Sequence, residues 1–147
     1  MMMQLNIASY IYLRRWTLVA IGIITPLGFY SKFYTGPASH WVNNSLGGVL
    51  YVVFWSLVAS AILIRARPWV IASVVLLLTC ALEFLQLWHP VFLEAIRSTF
   101  MGVTLIGNSF SWLDLFHYLF GALASAWLLY ALQVSNQRKN NQINQKP

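Results

Sequence analysis

Charge is scarce in this chain. Charged residues make up only 8% of it, and just three are acidic: Glu83, Glu94 and Asp114. A soluble domain usually carries about 25% charged residues, so a water-facing surface cannot be built from this composition. The one cysteine, Cys80, lies inside an apolar run. That excludes an intrachain disulfide and reads as a small buried apolar side chain. There is no phosphate loop, no Cys-x-x-Cys, no His-Glu-x-x-His and no Gly-x-Ser-x-Gly. The familiar signatures of nucleotide, redox, zinc and serine-hydrolase chemistry are therefore absent, and no cofactor is expected. No internal repeat is visible.

What is present is apolar. Hydrophobic residues form 59% of the 147. The length suits one domain, and the composition predicts an all-α polytopic membrane protein whose partner is the lipid bilayer. Four segments are long and apolar enough to consider as spans, over about 14–33, 46–64, 68–89 and 114–134. A spanning helix needs about 20 mainly apolar residues. The second and fourth segments meet this, and the third meets it if Glu83 is accepted inside the membrane. The first is short and contains Pro26. It spans if Arg14, Arg15 and Lys32 snorkel outward, or if the helix starts upstream near Ile7. A signal peptide is the rival reading for this segment, with Gly36-Pro37-Ala38 as a weak cleavage site. Residues 135–147 are rich in Asn, Gln and Lys, and predict a disordered tail.

Pro68 suits the first turn of the third helix and Pro90 a stop beyond it. Trp16, Trp41, Trp69, Trp88 and Trp112 fall near proposed helix ends, where a membrane interface places indole rings. The net charge of +6 does not form a basic face for nucleic acid. Seven of the nine basic residues flank spans on one side instead: Arg14, Arg15, Arg65, Arg67, Arg138, Lys139 and Lys146. The positive-inside rule then places both termini in the cytoplasm.

Within the membrane, a charge at the bilayer centre costs roughly 2.5–3.5 kcal/mol, so Glu83 is the most informative residue. It lies sixteen residues after Arg67, about 24 Å up the helix at a rise of 1.5 Å per residue. That puts it in the outer half, with Gln86 on the same face. Asp114 opens the fourth helix in the same leaflet, and His117 and Tyr118 follow on its face. Arg97 lies in the connecting loop. We expect Arg97 to bridge Glu83 and Asp114, which would lower the cost of burying both acids. The plainer readings are that Asp114 caps its helix and that His117 is a hydrogen-bonded bundle histidine. No two candidate metal ligands among Glu83, His89, Asp114 and His117 have ligand spacing on one helix, so no metal is expected. The paired carboxylates Glu83 and Asp114 also admit an acid–base role in a membrane enzyme, though no nucleophile is recognisable.

A resemblance emerges at these residues. The run from Leu82 to Gly121 resembles a bacterial family of small membrane proteins called domain of unknown function 2809, related in pattern to the VanZ-like membrane proteins. It is carried by Glu83 and Gln86-Leu87, by Ile96-Arg97-Ser98-Thr99, and by Gly102 and Leu105-Ile106-Gly107. Phe110-Ser111-Trp112, Asp114-Leu115, Tyr118 and Gly121 complete it. Pro26-Leu27-Gly28-Phe29, Ser31-Lys32 and Leu46-Gly47 look like earlier parts of the same pattern. Where the family often has an acid after the second-helix glycine, Gly48 stands here. The resemblance implies a bacterial inner-membrane location and a role at the cell envelope. The ligand expected for the polar cluster is a lipid head group or an envelope precursor. A non-catalytic assembly subunit, with the cluster locking helices together, is the third reading.

Overall fold

A computed structural model describes residues 7–107 and 109–144. Every regular element among the described residues is helical: α1 (Ile7–Phe33), α2 (Ser39–Trp41), a π-helical turn (Val42–Leu46), α3 (Gly47–Ile62), α4 (Pro68–Leu85), α5 (Val91–Arg97), α6 (Phe100–Ile106) and α7 (Trp112–Asn144). Four stretches are long and apolar enough to cross a membrane: Ile11–Phe33, Ser39–Ile62, Pro68–Leu85 and Trp112–Arg138. The chain is an all-α polytopic bundle, as its composition predicts.

The bounds differ from expectation at four places, each for a local reason. The first helix begins at Ile7, the upstream option, and carries Pro26 without breaking. The second span begins at Ser39 rather than 46, because the π turn carries the polar run Val42-Asn43-Asn44-Ser45 within a continuous helix. The third ends at Leu85 rather than 89, five residues ahead of the extended Pro90 that caps α5. The predicted disordered tail is instead helical to Asn144, and 145–147 lie outside the described residues. Gln, Arg and Asn continue a helix readily once nucleated, and no Gly or Pro interrupts before Pro147. Asn136 is also buried, at 3% exposure, so the first turn of the extension belongs to the bundle.

Packing is that of a membrane bundle. Large apolar side chains point outward, among them Leu77, Leu78, Phe120 and Trp127. The interior sets small residues, Ser56, Ser60, Ala72, Ala122, Ser125 and Ala126, among Val52, Leu57, Ile71 and Leu129, and all of these are buried. Lipid tails are as apolar as leucine, so helices associate by close backbone approach rather than by hiding large side chains from water. Gly121 shows this directly. A Cβ there would lie 2.9 Å from the Val49 carbonyl oxygen, so only glycine permits the α3–α7 crossing.

The crossings sort charge to two ends. Tyr12, Leu13 and Trp16 of α1 share a small pocket with Leu132 and Ser135 of α7. Gln133 donates to the Ala66 carbonyl in the α3–α4 connection at 3.5 Å. Arg14, Arg15, Arg65, Arg67 and Arg138 thus belong to one end. Lys32, Asn44, Gln86 and Asp114 belong to the other, around one cavity.

Candidate functional site

The polar end is organised by the connection between α4 and α7. This connection is a short helical hairpin, α5 and α6, held to the bundle by side chains. Thr99 starts α6 by accepting the Gly102 N–H at 3.0 Å. Gly102 packs so closely on the Ile96 carbonyl that a Cβ would collide with it. At the other end of α6, Tyr51 donates to the Leu105 carbonyl at 2.8 Å and Gln86 to the Ile106 carbonyl at 2.9 Å. Those carbonyls have no partner within the helix. Gly107 then leaves the helix at φ +76°, and a Cβ there would run into the Gln86 amide. Both the backbone angle and the space demand glycine.

Glu83 sits at the centre and is 1% exposed. Its Oε1 accepts the Ser111 backbone N–H at 2.8 Å. Its Oε2 accepts the Tyr118 hydroxyl at 2.7 Å and the Gln86 amide at 3.3 Å. A carboxylate in a dry interior is tolerable only when its lone pairs are taken up. Here the donors come from α4, from the segment before α7 and from α7 itself. The carboxylate therefore ties three pieces of chain together.

Arg97 does not join this network. Among the described residues no ion pair within 4 Å links it to Glu83 or to Asp114, which corrects the expected bridge. Its guanidinium, 4% exposed, donates instead to the Leu85 carbonyl at 3.0 Å, to the Trp88 carbonyl at 3.0 Å and to Glu94 at 2.9 Å. It closes the C-terminal end of α4, where orphan carbonyls and the negative end of the helix dipole favour a cation. That demand lies nearer along the chain than either acid of the cluster. His89 donates to the same Glu94 oxygen at 2.8 Å. These two bonds, the His89 one foremost, hold the exposed Glu94 carboxyl below its ordinary range.

Of the six residues singled out from sequence, Glu83, Gln86 and Tyr118 come into direct contact. Asp114 is half-buried and lines the same cavity. His117 donates from Nδ1 to the Leu113 carbonyl at 2.7 Å, the plain bundle role. No group of three His, Cys, Asp or Glu residues is placed to hold a metal among the described residues.

The cavity has a volume of about 570 Å³ and lies among α1, the π turn, α3, α4, α6 and the start of α7. Most of its polar lining is already committed. Thr25 and Thr79 donate to carbonyls one turn back, Thr104 likewise, and Tyr51, Gln86 and Tyr118 are bonded as above. Lys32, Asn44, Ser109 and Asp114 line it, and their side chains make no protein hydrogen bond among the described residues. Lys32 and Asn44 were not among the expected site residues. Asn44 falls in the polar run that reads as a loop, and Lys32 reads as a snorkelling flank. The π turn that presents Asn44 is a geometry often found at functional sites. Gly48, where the related pattern often has an acid, faces Tyr118: a Cβ would lie 3.0 Å from its ring.

No solved structure matches the chain. A family model described as protein of unknown function (DUF2809) matches residues 38–122, more than half of the 147. The match takes in Glu83, Gln86, Arg97, Ser111, Asp114 and Tyr118 and stops short of Lys32, and the chain belongs to that family.

Proposed function

We propose that this protein binds the head group of a membrane amphiphile, a lipid or a lipid-linked envelope precursor, in the cavity at its polar end. The observation that carries this reading is the division of labour among the cavity's polar groups. Glu83 is fully engaged in holding the walls together, whereas Lys32, Asn44 and Asp114 face the cavity with hydrogen-bonding capacity to offer. Pockets that bind small molecules are mostly apolar with a few convergent polar groups, and this one has Ile24, Phe29, Phe54 and Leu82 in its walls. The basic residues at the opposite end favour a cytoplasmic location for both termini. On that orientation the cavity belongs to the outer leaflet of a bacterial inner membrane. An envelope role agrees with the related pattern of the VanZ-like proteins.

A reading of Glu83 and Asp114 as an acid–base pair draws less support. Glu83 borders the cavity but is 1% exposed and accepts three protein donors, so it offers a substrate almost no face. The direct test is native mass spectrometry of protein extracted in a mild detergent. A retained amphiphile is expected. Bare protein whose thermal stability ignores added lipid extract would contradict the reading.

A further inference from the structure

Beside the Ser109 hydroxyl, three lining residues bring specific chemistry to the cavity: one ammonium, one neutral amide and one carboxylate. Lys32 sits at the end of α1, with its Nζ within 3.6 Å of where a Cβ on Gly47 would lie, and so over the start of α3. Asp114 stands in the first turn of α7 and lines the same space. Among the described residues no salt bridge within 4 Å joins the two, although the Lys32 charge acts on Asp114 through space. Opposite charges that face one cavity from separate helices without closing on each other suit a ligand that itself carries both signs. A purely anionic head group would meet Lys32 but would also be set against Asp114. A purely cationic one would meet the reverse conflict, and like-charge juxtaposition weakens binding.

We propose that the ligand is a phospholipid with a zwitterionic primary-amine head group, an ethanolamine phospholipid, whose phosphate meets Lys32 and Asn44 and whose ammonium donates to Asp114. This rests on the reading of the cavity as an amphiphile site and names the ligand class. The amine is preferred over a quaternary ammonium because a carboxylate gains most from N–H donors, in short charge-assisted hydrogen bonds. A choline group has none and is recognised by aromatic faces instead. The acyl chains have a route. The cavity runs down α3 to Trp55, eight residues past Gly47, or roughly 12 Å at 1.5 Å per residue. Phe29 of α1 and Phe100 of α6 line it and are also exposed on the surface, so it opens between those helices.

The test is competitive lipid binding by native mass spectrometry, with full-length protein in detergent and short-chain ethanolamine, choline and glycerol phospholipids as the probes. The ethanolamine lipid is expected to bind about tenfold more tightly than the glycerol lipid, the effect of one charge-assisted contact. Asp114→Asn should abolish that preference while leaving the glycerol lipid bound at least as well. Lys32→Gln should weaken both. Neither side chain carries a protein hydrogen bond among the described residues, so both variants should fold, and wild-type-like melting in detergent checks this. Equal or tighter binding of the choline or glycerol lipid by the native protein overturns the proposal and leaves the amphiphile site standing. An ethanolamine preference that survives Asp114→Asn overturns it too. Failure of every lipid to bind overturns the cavity reading itself.

Discussion

Tyr118 donates its hydroxyl to Glu83 Oε2 at 2.7 Å, joining α7 to α4 through a carboxylate that is 1% exposed. The bond explains how an acid is accommodated in a span. Both oxygens of Glu83 accept and neither faces a cation. An amide at this position would turn its NH2 toward a donor on one side. Glu83→Gln is therefore expected to lower stability by about 1–3 kcal/mol. Tyr118→Phe should cost a similar amount by leaving Oε2 with only the 3.3 Å bond from Gln86. The two changes should be coupled by about 1–2 kcal/mol in a double-mutant cycle in detergent, because they remove the same contact. Additivity within 0.3 kcal/mol, about the noise of such cycles, would show that the bond contributes nothing.

Arg97 closes the end of α4 by bonding two backbone carbonyls at once. Arg97→Ala should strand the Trp88 carbonyl, leave the Leu85 carbonyl with only the Trp88 N–H, and cost on the order of 3 kcal/mol. Arg97→Lys should recover little of this, because an ammonium lacks the planar fork. The coupling of Arg97→Ala with Glu83→Gln should be smaller than that of Glu83→Gln with Tyr118→Phe. A larger coupling would restore the bridge that the described contacts replace.

Glu94 gives a pH signature. Its carboxyl is held below its ordinary value of 4.5 by the hydrogen bond from His89 first and that from Arg97 second. A group with a depressed folded value contributes stability that is complete above the unfolded value and disappears as pH falls through the folded one. The melting difference between the native protein and Glu94→Gln should thus be full above about pH 5 and shrink as the pH falls below it. A difference that grows on acidification would contradict the assignment.

The helical extension of α7 separates two truncations. Asn136 is buried at 3% exposure, whereas Gln137 and Arg138 are exposed. Ending the chain after Val134 should lower the melting temperature by several degrees, as loss of about 1 kcal/mol does in a domain of this size. Ending it after Arg138 should leave it nearly unchanged. Equal melting of the two would mean that the first turn of the extension is not docked.

Much of this was legible in the residues. Four long apolar runs, with charge confined to their flanks, leave few alternatives to a membrane bundle. An acid in the third run must be satisfied, and two of the polar residues expected in its leaflet, Gln86 and Tyr118, help to satisfy it beside the Ser111 backbone N–H. Two things were not legible. Partner choice for Arg97 turned on backbone carbonyls at the end of α4, which sequence displays only once the last helical residue is known. Asn44 was hidden because an Asn-Asn-Ser run reads as a loop, while a π turn keeps it helical at the rim of the cavity that it lines. The tail misled for a related reason. Its composition lacks apolar anchors, yet a helix already nucleated in the membrane extends through residues that would not start one.

The central claim is that the cavity at the polar end holds an amphiphile. Native mass spectrometry of the detergent-extracted protein tests it most directly, set beside a variant in which Gly48→Trp fills the cavity next to Tyr118. We expect a bound lipid-sized mass on the native protein and its loss from Gly48→Trp protein that still melts cooperatively. An unliganded native protein, or a ligand retained unchanged when the cavity is filled, would contradict the claim.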